Sequence, residues 1–320
     1  MAARAITKST IFLVLGVLGL GALVTRADLG AVRTALAHVG WGLALIIGQE
    51  IVAHLCNALA WRFTFSPGAA PSFGSLVRLR VAGDAVNYLS PTATLGGEVA
   101  RVAMLDPHLG MEVRTTSVAV AKFTQTLAQA VFIAVGITIV GARRVVVPRD
   151  AGILAAIVVT AAVATFVVWR ALRRVRPASL AGAVAWLRMA RDRAAEFVRE
   201  HPVRVAISTA LFALGYAWGA FEAYWICRFM LFPVSIGTAL AVEVLSVAVD
   251  GVLFAVPAKI GTQEGGKVAV FAVLGLPPAL GLAFGLVRHV RELVWAGLGI
   301  LSCPSYRRLS GVFAWRAAAR

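Results

Sequence analysis

Eight apolar stretches run through the chain, and they are of two kinds. Six read as clean spanning helices, at residues 11–25, 41–60, 117–141, 152–169, 203–226 and 279–303. Two more, 76–102 and 239–273, are apolar but interrupted by charges, prolines and glycines. A helix needs about 20 predominantly apolar residues to cross a bilayer, so the first and fourth spans are short. Residues 170–204 break the pattern with nine arginines and three acids. There Leu180, Val184, Leu187, Ala194 and Phe197 recur at helical spacing, with Arg188, Arg191, Arg193 and Arg199 on other faces. This predicts an amphipathic helix over 178–200, either lying on an anionic leaflet or serving as a solvated connector.

Composition agrees with the pattern. The 320 residues are 60% hydrophobic and 14% charged, whereas a soluble domain is about 45–50% apolar and about 25% charged. The predicted fold class is an all-α polytopic membrane protein, a single integral membrane domain over 1–320 with no soluble catalytic domain at either end. The net charge is +16, and 27 of the 31 basic residues are arginine. They cluster in short connections between apolar runs, where they set topology, so nucleic acid is not expected as a partner. Cys56, Cys227 and Cys303 lie in or beside apolar runs and read as small hydrophobes. His54, His108, His201 and His289 are scattered. No metal site, cofactor or phosphate-binding loop of the ATPase type is expected, and residues 1–25 read as a retained anchor rather than a cleaved signal.

The interrupted stretches are related to one another. At an offset of 166 residues, "DAVNYLSPTATLGGEVARVA" (84–103) aligns with "DGVLFAVPAKIGTQEGGKVA" (250–269) without a gap. Asp84 meets Asp250, Pro91 meets Pro257, Glu98 meets Glu264, and Arg101 meets Lys267. The same offset pairs Arg62-Phe63 with Arg228-Phe229, Pro67 with Pro233, and Lys122 with Arg288. This predicts repeat units near 41–141 and 203–303, linked by the span and amphipathic helix of 151–202. Parity then separates two topologies. If the interrupted stretches cross the membrane, the units are parallel and the nine-arginine connector lies outside. If they enter and return, the units are inverted and the connector lies inside, with Arg4, Lys8, Arg62, Arg78, Arg80 and the arginines of the tail. The positive-inside rule favours the second. We therefore expect six spans, two re-entrant segments and both termini cytoplasmic.

Backbone leaves the helical state at membrane depth only where protein or a wet cavity satisfies it. Pro257 removes a donor, and Gly261, Gly265 and Gly266 permit a turn and close approach. A helix starting near Thr262 would aim free N–H groups inward, which suits an anion. Lys259, Gln263 and Lys267 add polar character, with Lys267 three residues past Glu264 and on the same face. Gly96, Gly97, Glu98 and Arg101 offer the same arrangement in the first unit. Arg288, Arg291 and Glu292 share a helical face and either line a cavity or anchor at the interface. Glu50, Glu222 and Glu243 are embedded acids that either act or pair with arginine. Intramembrane charges cost at least about 2.5–3.5 kcal/mol each, so a cluster of them points to function. Gly281 and Gly285 form a GxxxG helix-packing pattern.

These motifs resemble a known family. "FAVPAKIGTQEGGKVAVFAVLGLPP", "GLVRHVRELVWAGLGIL" and "YLSPTATLGGEVARVAML" are similar to the Pro/Gly/Glu stretches and Arg-bearing helix of the flippase-like family, the transmembrane part of lysylphosphatidylglycerol synthases. "GAFEAYW", "PVSIGTALAVEVLS" and "GTQEGG" look closest to its hopanoid-associated HpnL-type branch. The resemblance covers roughly residues 10–303 and implies a bacterial inner-membrane protein that moves or handles a lipid. It carries Pro91, Gly96, Gly97, Glu98, Arg101, Pro257, Gly261, Glu264, Gly265 and Arg288 over as site positions. The chain departs from the family at Ala258-Lys259, where two glycines are usual.

Three readings stand at this point. The first is a lipid translocase, with Arg101, Lys122, Lys267 and Arg288 on a phosphate-bearing headgroup and Asp84, Glu98, Asp250 or Glu264 balancing charge. The second is a partner of lipid-biosynthesis enzymes. The third is an intramembrane enzyme using one of those carboxylates. The sequence offers no nucleophile–histidine pairing, and the expectation is that the protein is not an enzyme.

Overall fold

Without water to bond the backbone, a lipid-embedded chain closes its hydrogen bonds within helices. The structure, a computed structural model, describes residues 28–89, 95–142, 181–252 and 261–303, with Gly21, Thr25 and Lys259 besides; over 181–190 it describes the backbone alone. Every described element with stated bounds is a helix: α1 (Leu29–Val39), α2 (Gly42–Arg62), α3 (Phe73–Leu89), α4 (Leu95–Met104), α5 (Met111–Ala142), α6 (Ala181–Glu200), α7 (Pro202–Phe229), α8 (Ile236–Val252), α9 (Thr262–Val273) and α10 (Pro278–Leu301). Local chemistry fixes several ends. Asp28 caps α1 by accepting the Ala31 N–H at 3.0 Å. Prolines occupy the first turns of α7 and α10, where a missing N–H costs nothing.

Three helices, α2, α5 and α7, are long and apolar enough to cross a membrane, and they contain the predicted spans 41–60, 117–141 and 203–226. The predicted span 279–303 falls in α10, which carries Arg288, Arg291 and Glu292 within its length. The predicted span 152–169 lies outside the described residues, as do the chain termini, and of the predicted span 11–25 only Gly21 and Thr25 are described. The interrupted stretches divide where the pattern placed the breaks. α3 and α4 flank 90–94, and α8 and α9 flank 253–258. At 17, 10, 17 and 12 residues these helices are about 26, 15, 26 and 18 Å long, each shorter than a bilayer core.

Helix order repeats: α2–α3–α4–α5 is echoed by α7–α8–α9–α10. The packing echoes as well. α3 packs on α10 as α8 packs on α5, and α2 packs directly on α7. Two apolar cores form, and each draws on both sets: one around Trp61, Leu76 and Leu105 takes Phe212 of α7, and the other around Ile226, Val242, Phe271 and Phe284 takes Ile46 of α2 and Val140 of α5. Large apolar side chains such as Leu45, Phe123, Val135, Leu214 and Leu293 are exposed on the outside, the arrangement lipid requires. Cys56, Cys227 and Cys303 are all free.

The amphipathic helix packs on the protein along part of its apolar stripe. Its described apolar residues Ala194 and Phe197 pack against Val120 of α5 and Val205 of α7, and Arg193 pairs with Glu112 of α5 at 2.6 Å. That part of the stripe is turned to the protein, not to a leaflet. Leu180 lies outside the described residues, and the side chains of Val184 and Leu187 are not described.

Close approach of α9 and α10 depends on the GxxxG pair. A Cβ at Gly281 would lie 2.8 Å from the Lys267 carbonyl oxygen, and one at Gly285 would lie 3.0 Å from Glu264 Cα. Gly297, on the same helix, has nothing within 4 Å. Gly281→Ala and Gly285→Ala are therefore expected to lower stability by about 1–3 kcal/mol through overpacking. Gly297→Ala should be neutral or raise it by up to about 1 kcal/mol through helix propensity. Thermal unfolding of the purified variants in detergent checks this, and equal behaviour of all three would remove the packing role.

Candidate functional site

A cavity of about 470 Å³ lies between the two sets of helices. Its wall draws on α2, α3, α4, α5, α7, α8 and α10, with Lys259 from the second break. Five carboxylates line it (Glu50, Asp84, Glu98, Asp250 and Glu292), and so do four cations (Arg80, Lys122, Lys259 and Arg291). The offset of 166 reappears here in space. Seven pairs of residues so related both line the cavity: Glu50 and Tyr216, Val81 and Val247, Asp84 and Asp250, Ala85 and Gly251, Gln125 and Arg291, Thr126 and Glu292, Gln129 and Trp295.

Each break is spanned by an equivalent ion pair. In the first unit Arg101 of α4, 2% exposed, donates to Asp84 of α3 at 2.6 Å. In the second, Lys267 of α9, 0% exposed, donates to Asp250 of α8 at 3.1 Å. Arg101 also donates to Glu98 at 2.5 Å, and Lys122 of α5 lies 3.5 Å from the same carboxylate. Arg80 stands 3.2 Å from Asp84, one helical turn away. Buried charges this close are viable only as hydrogen-bonded pairs.

The helix starts differ from expectation. Gly97 N–H of α4 donates to Asn87 Oδ1 at 2.6 Å. A side chain at Gly97 would collide with the Gly83 carbonyl and Asn87, so glycine lets α4 close on α3 there. Gly96 lies in the same first turn, partly buried. At α9, Gly261 takes a left-handed φ of 74°, which glycine accommodates, and its N–H donates to Glu264 Oε2 at 2.9 Å. The inward helix start thus holds an anion, and that anion is the protein's own Glu264. The other Glu264 oxygen lies 2.6 Å from His289 Nδ1. Glu264 is not the partner of Lys267, despite their spacing. Gln263, nearly fully buried, and Gly265 sit beside it in the first turn of α9.

Each charged residue of the α10 cluster has an ion-pair partner. Arg288 pairs with Glu222 at 2.9 Å and with Glu243, and lies over the Phe284 ring. Arg291 pairs with Glu222 and Glu50, both at 2.7 Å. Glu292 pairs with Lys259 at 3.1 Å. Asp84, Glu98, Lys122, Asp250, Lys259, Arg291 and Glu292 therefore meet at the cavity. Arg101, Lys267, Glu264, Gln263 and Arg288 stand behind its wall. Pro91 and Pro257 lie outside the described residues.

Two sequence expectations change. Arg101, Lys122, Lys267 and Arg288 were expected to face a phosphate, yet all four are held by carboxylates and only Lys122 lines the cavity. Arg80, which the positive-inside reading places on the cytoplasmic side, is 3% exposed within α3 and paired with Asp84. Its signal was the i, i+4 spacing to Asp84 inside an apolar run. Residues the reading of the motifs missed are His54, Asn57, Asn87, Tyr88, Gln125, Gln129, Tyr216 and Trp295. The His54 and Trp295 rings pack in the wall with centroids 4.4 Å apart, tilted by 48°. Neutral amides and aromatics in helices carry no charge signal, so only the repeat offset pointed to some of them.

The ion pair across the second break should be separable from its charges. Lys267→Met strands Asp250 and is expected to cost about 3–5 kcal/mol, while adding Asp250→Leu recovers most of the loss. Thermal unfolding in detergent reads both. Equal losses in the single and double variants would mean that the pair does not staple the break.

The profile of the family described as lysylphosphatidylglycerol synthase TM region matches residues 8–299 of the 320. No curated protein and no solved structure matches the chain. The match is to the family and names no branch within it. It corrects the expectation of a non-enzyme: the family takes its name from a lipid-modifying synthase, which removes the ground for setting enzyme activity aside. The chain belongs to the lysylphosphatidylglycerol synthase transmembrane-region family, and is a membrane protein tied to lipid metabolism.

Proposed function

We propose that this protein moves a lipid between the leaflets of the bacterial inner membrane, passing the headgroup through the cavity while the acyl chains stay in the bilayer. The observation that carries the reading is the cavity itself. A polar chamber of about 470 Å³, walled by charge, lies inside helices whose outer faces are apolar. Such a chamber offers a headgroup a route that the hydrocarbon denies it. The paired wall positions and the equivalent ion pairs at the two breaks support a two-unit architecture of the kind found in transporters, with the site at the repeat interface. In this reading the units are inverted, the segments around the breaks are re-entrant, six spans cross the membrane, and both termini are cytoplasmic.

Lys122 and Glu292 are the residues to change, because they line the cavity without being the deepest of the buried charges. Purified protein in liposomes is expected to exchange one labelled lipid of a panel between leaflets. Lys122→Met and Glu292→Gln are expected to slow that exchange about tenfold or more, with unfolding temperatures close to the parent. Loss of one charge-assisted contact of about 1.5–3 kcal/mol corresponds to such a factor. Folded protein that exchanges no lipid of the panel would overturn the reading.

A further inference from the structure

The chemistry of the wall narrows what the cavity accepts. All four cations facing it are already bonded to carboxylates: Arg80 to Asp84, Lys122 to Glu98, Lys259 to Glu292, and Arg291 to Glu50 and Glu222. An anionic phosphate at any of these cations would lie beside the carboxylate that already holds it. Of the lining groups that keep a buried atom without a hydrogen-bond partner, one is the Nε of Arg291, and the others are of another kind. His54, 7% exposed, has neither ring nitrogen hydrogen-bonded; the Tyr88 hydroxyl and Glu292 Oε2 are likewise buried and unpartnered. An ionised carboxylate oxygen only accepts, so Glu292 Oε2 needs a donor, which an ionised phosphodiester does not have. A tyrosine hydroxyl and a neutral imidazole each both donate and accept, and suit a hydroxyl.

The two halves of the wall add to this. Where α10 presents Arg291, Glu292 and Trp295, the equivalent positions of α5 present Gln125, Thr126 and Gln129. At these three positions α5 is neutral and hydrogen-bonding, while α10 is charge-paired and carries an indole face; the charges on the α5 side, Lys122 with Glu98 and Arg80 with Asp84, are paired with each other. We propose that the cavity takes a net-neutral, multiply hydroxylated headgroup, a sugar or polyol, bonded by Tyr88, His54 and Glu292. This deepens the translocation reading and rests on it for the role of binding in transport. A site built to bond hydroxyls discriminates strongly against analogues that lack them, because its buried groups are then left unpaired.

The test is equilibrium binding to the full chain in detergent, read by tryptophan fluorescence and by ligand-induced thermal shift. The probes are lipids of matched acyl chains bearing a monoglycosyl, a phosphoglycerol or a phosphoethanolamine headgroup, and inorganic phosphate. The expected result is tightest binding of the glycosyl lipid, weakened about tenfold or more in Tyr88→Phe and in Glu292→Gln, with both variants still folded. Inorganic phosphate should not compete. Tighter binding of either phospholipid, competition by phosphate, or glycosyl-lipid binding unchanged in both variants would overturn the proposal. The liposome assay keeps the two readings apart. Glycosyl-lipid binding without leaflet exchange would sink translocation and leave the headgroup assignment standing. Exchange of an anionic phospholipid without glycosyl-lipid binding would do the reverse.

Discussion

A charge inside a bilayer must find its counter-charge inside the protein, and this constraint organises the whole molecule. The two ion pairs across the breaks, Asp84–Arg101 and Asp250–Lys267, tie the helix before each break to the helix after it. A pair of unit charges about 4 Å apart attracts by about 4 kcal/mol at an effective dielectric near 20, set against the cost of desolvating both. The short helices α4 and α9 could not stand alone in lipid at about 15 and 18 Å. Held by these pairs and by glycine-mediated contact with their neighbours, they become fixed parts of each unit and place Glu98 and Glu264 at depth.

The units share a frame but not a chemistry. Lys122 and Arg288 occupy equivalent positions, yet their fates differ for a reason visible in the sequence. Arg288 is drawn to Glu222 and Glu243, whose equivalents in the first unit are Cys56 and Val77. With no embedded acid to hold it in that direction, Lys122 turns to Glu98 and stays 38% exposed at the cavity. Thus the second unit locks its cation into structure, and the first leaves its own at the wall.

Much of this was legible in the chain. The broken stretches, the start of α9 at Thr262 and the correspondence of Asp84 with Asp250 all follow from local pattern and from one offset. Partner choice did not. Glu264 and Lys267 have the spacing of a helical pair, but Glu264 is taken by the Gly261 N–H and His289, and Lys267 by Asp250. Those competitors come from elsewhere in the fold, and spacing along one helix cannot rank them. Arg80 misled for a related reason. A basic residue near the start of an apolar run reads as a topology signal, and only the packing of α3 on its neighbours reveals that it faces inward. The neutral wall residues were the least visible, because Gln125, Asn57 and Tyr88 differ little in pattern from ordinary polar residues in a helix.

The joint between the units is where pairing leaves a choice. Among the described residues, Glu50–Arg291 is the ion pair that links one unit to the other; the remaining buried pairs fall within a unit. Elsewhere this joint is built from neutral hydrogen bonds, such as Thr124 with Ser208, Trp218 to Gln49 and Trp295 to the Ile47 carbonyl, and from apolar and glycine contacts, such as Gly136 against Val244 and Gly299 against Val81 and Ala85. Arg291 also holds Glu222, within its own unit, at the same 2.7 Å. A shift of one unit against the other would therefore leave Arg291 paired and release only Glu50, a residue that already lines the cavity. Motion at this joint strands one carboxylate beside polar space and no cation, whereas motion at either break strands both partners of a buried pair. On electrostatic grounds a displacement at this joint costs less than one that separates Asp84 from Arg101 or Asp250 from Lys267.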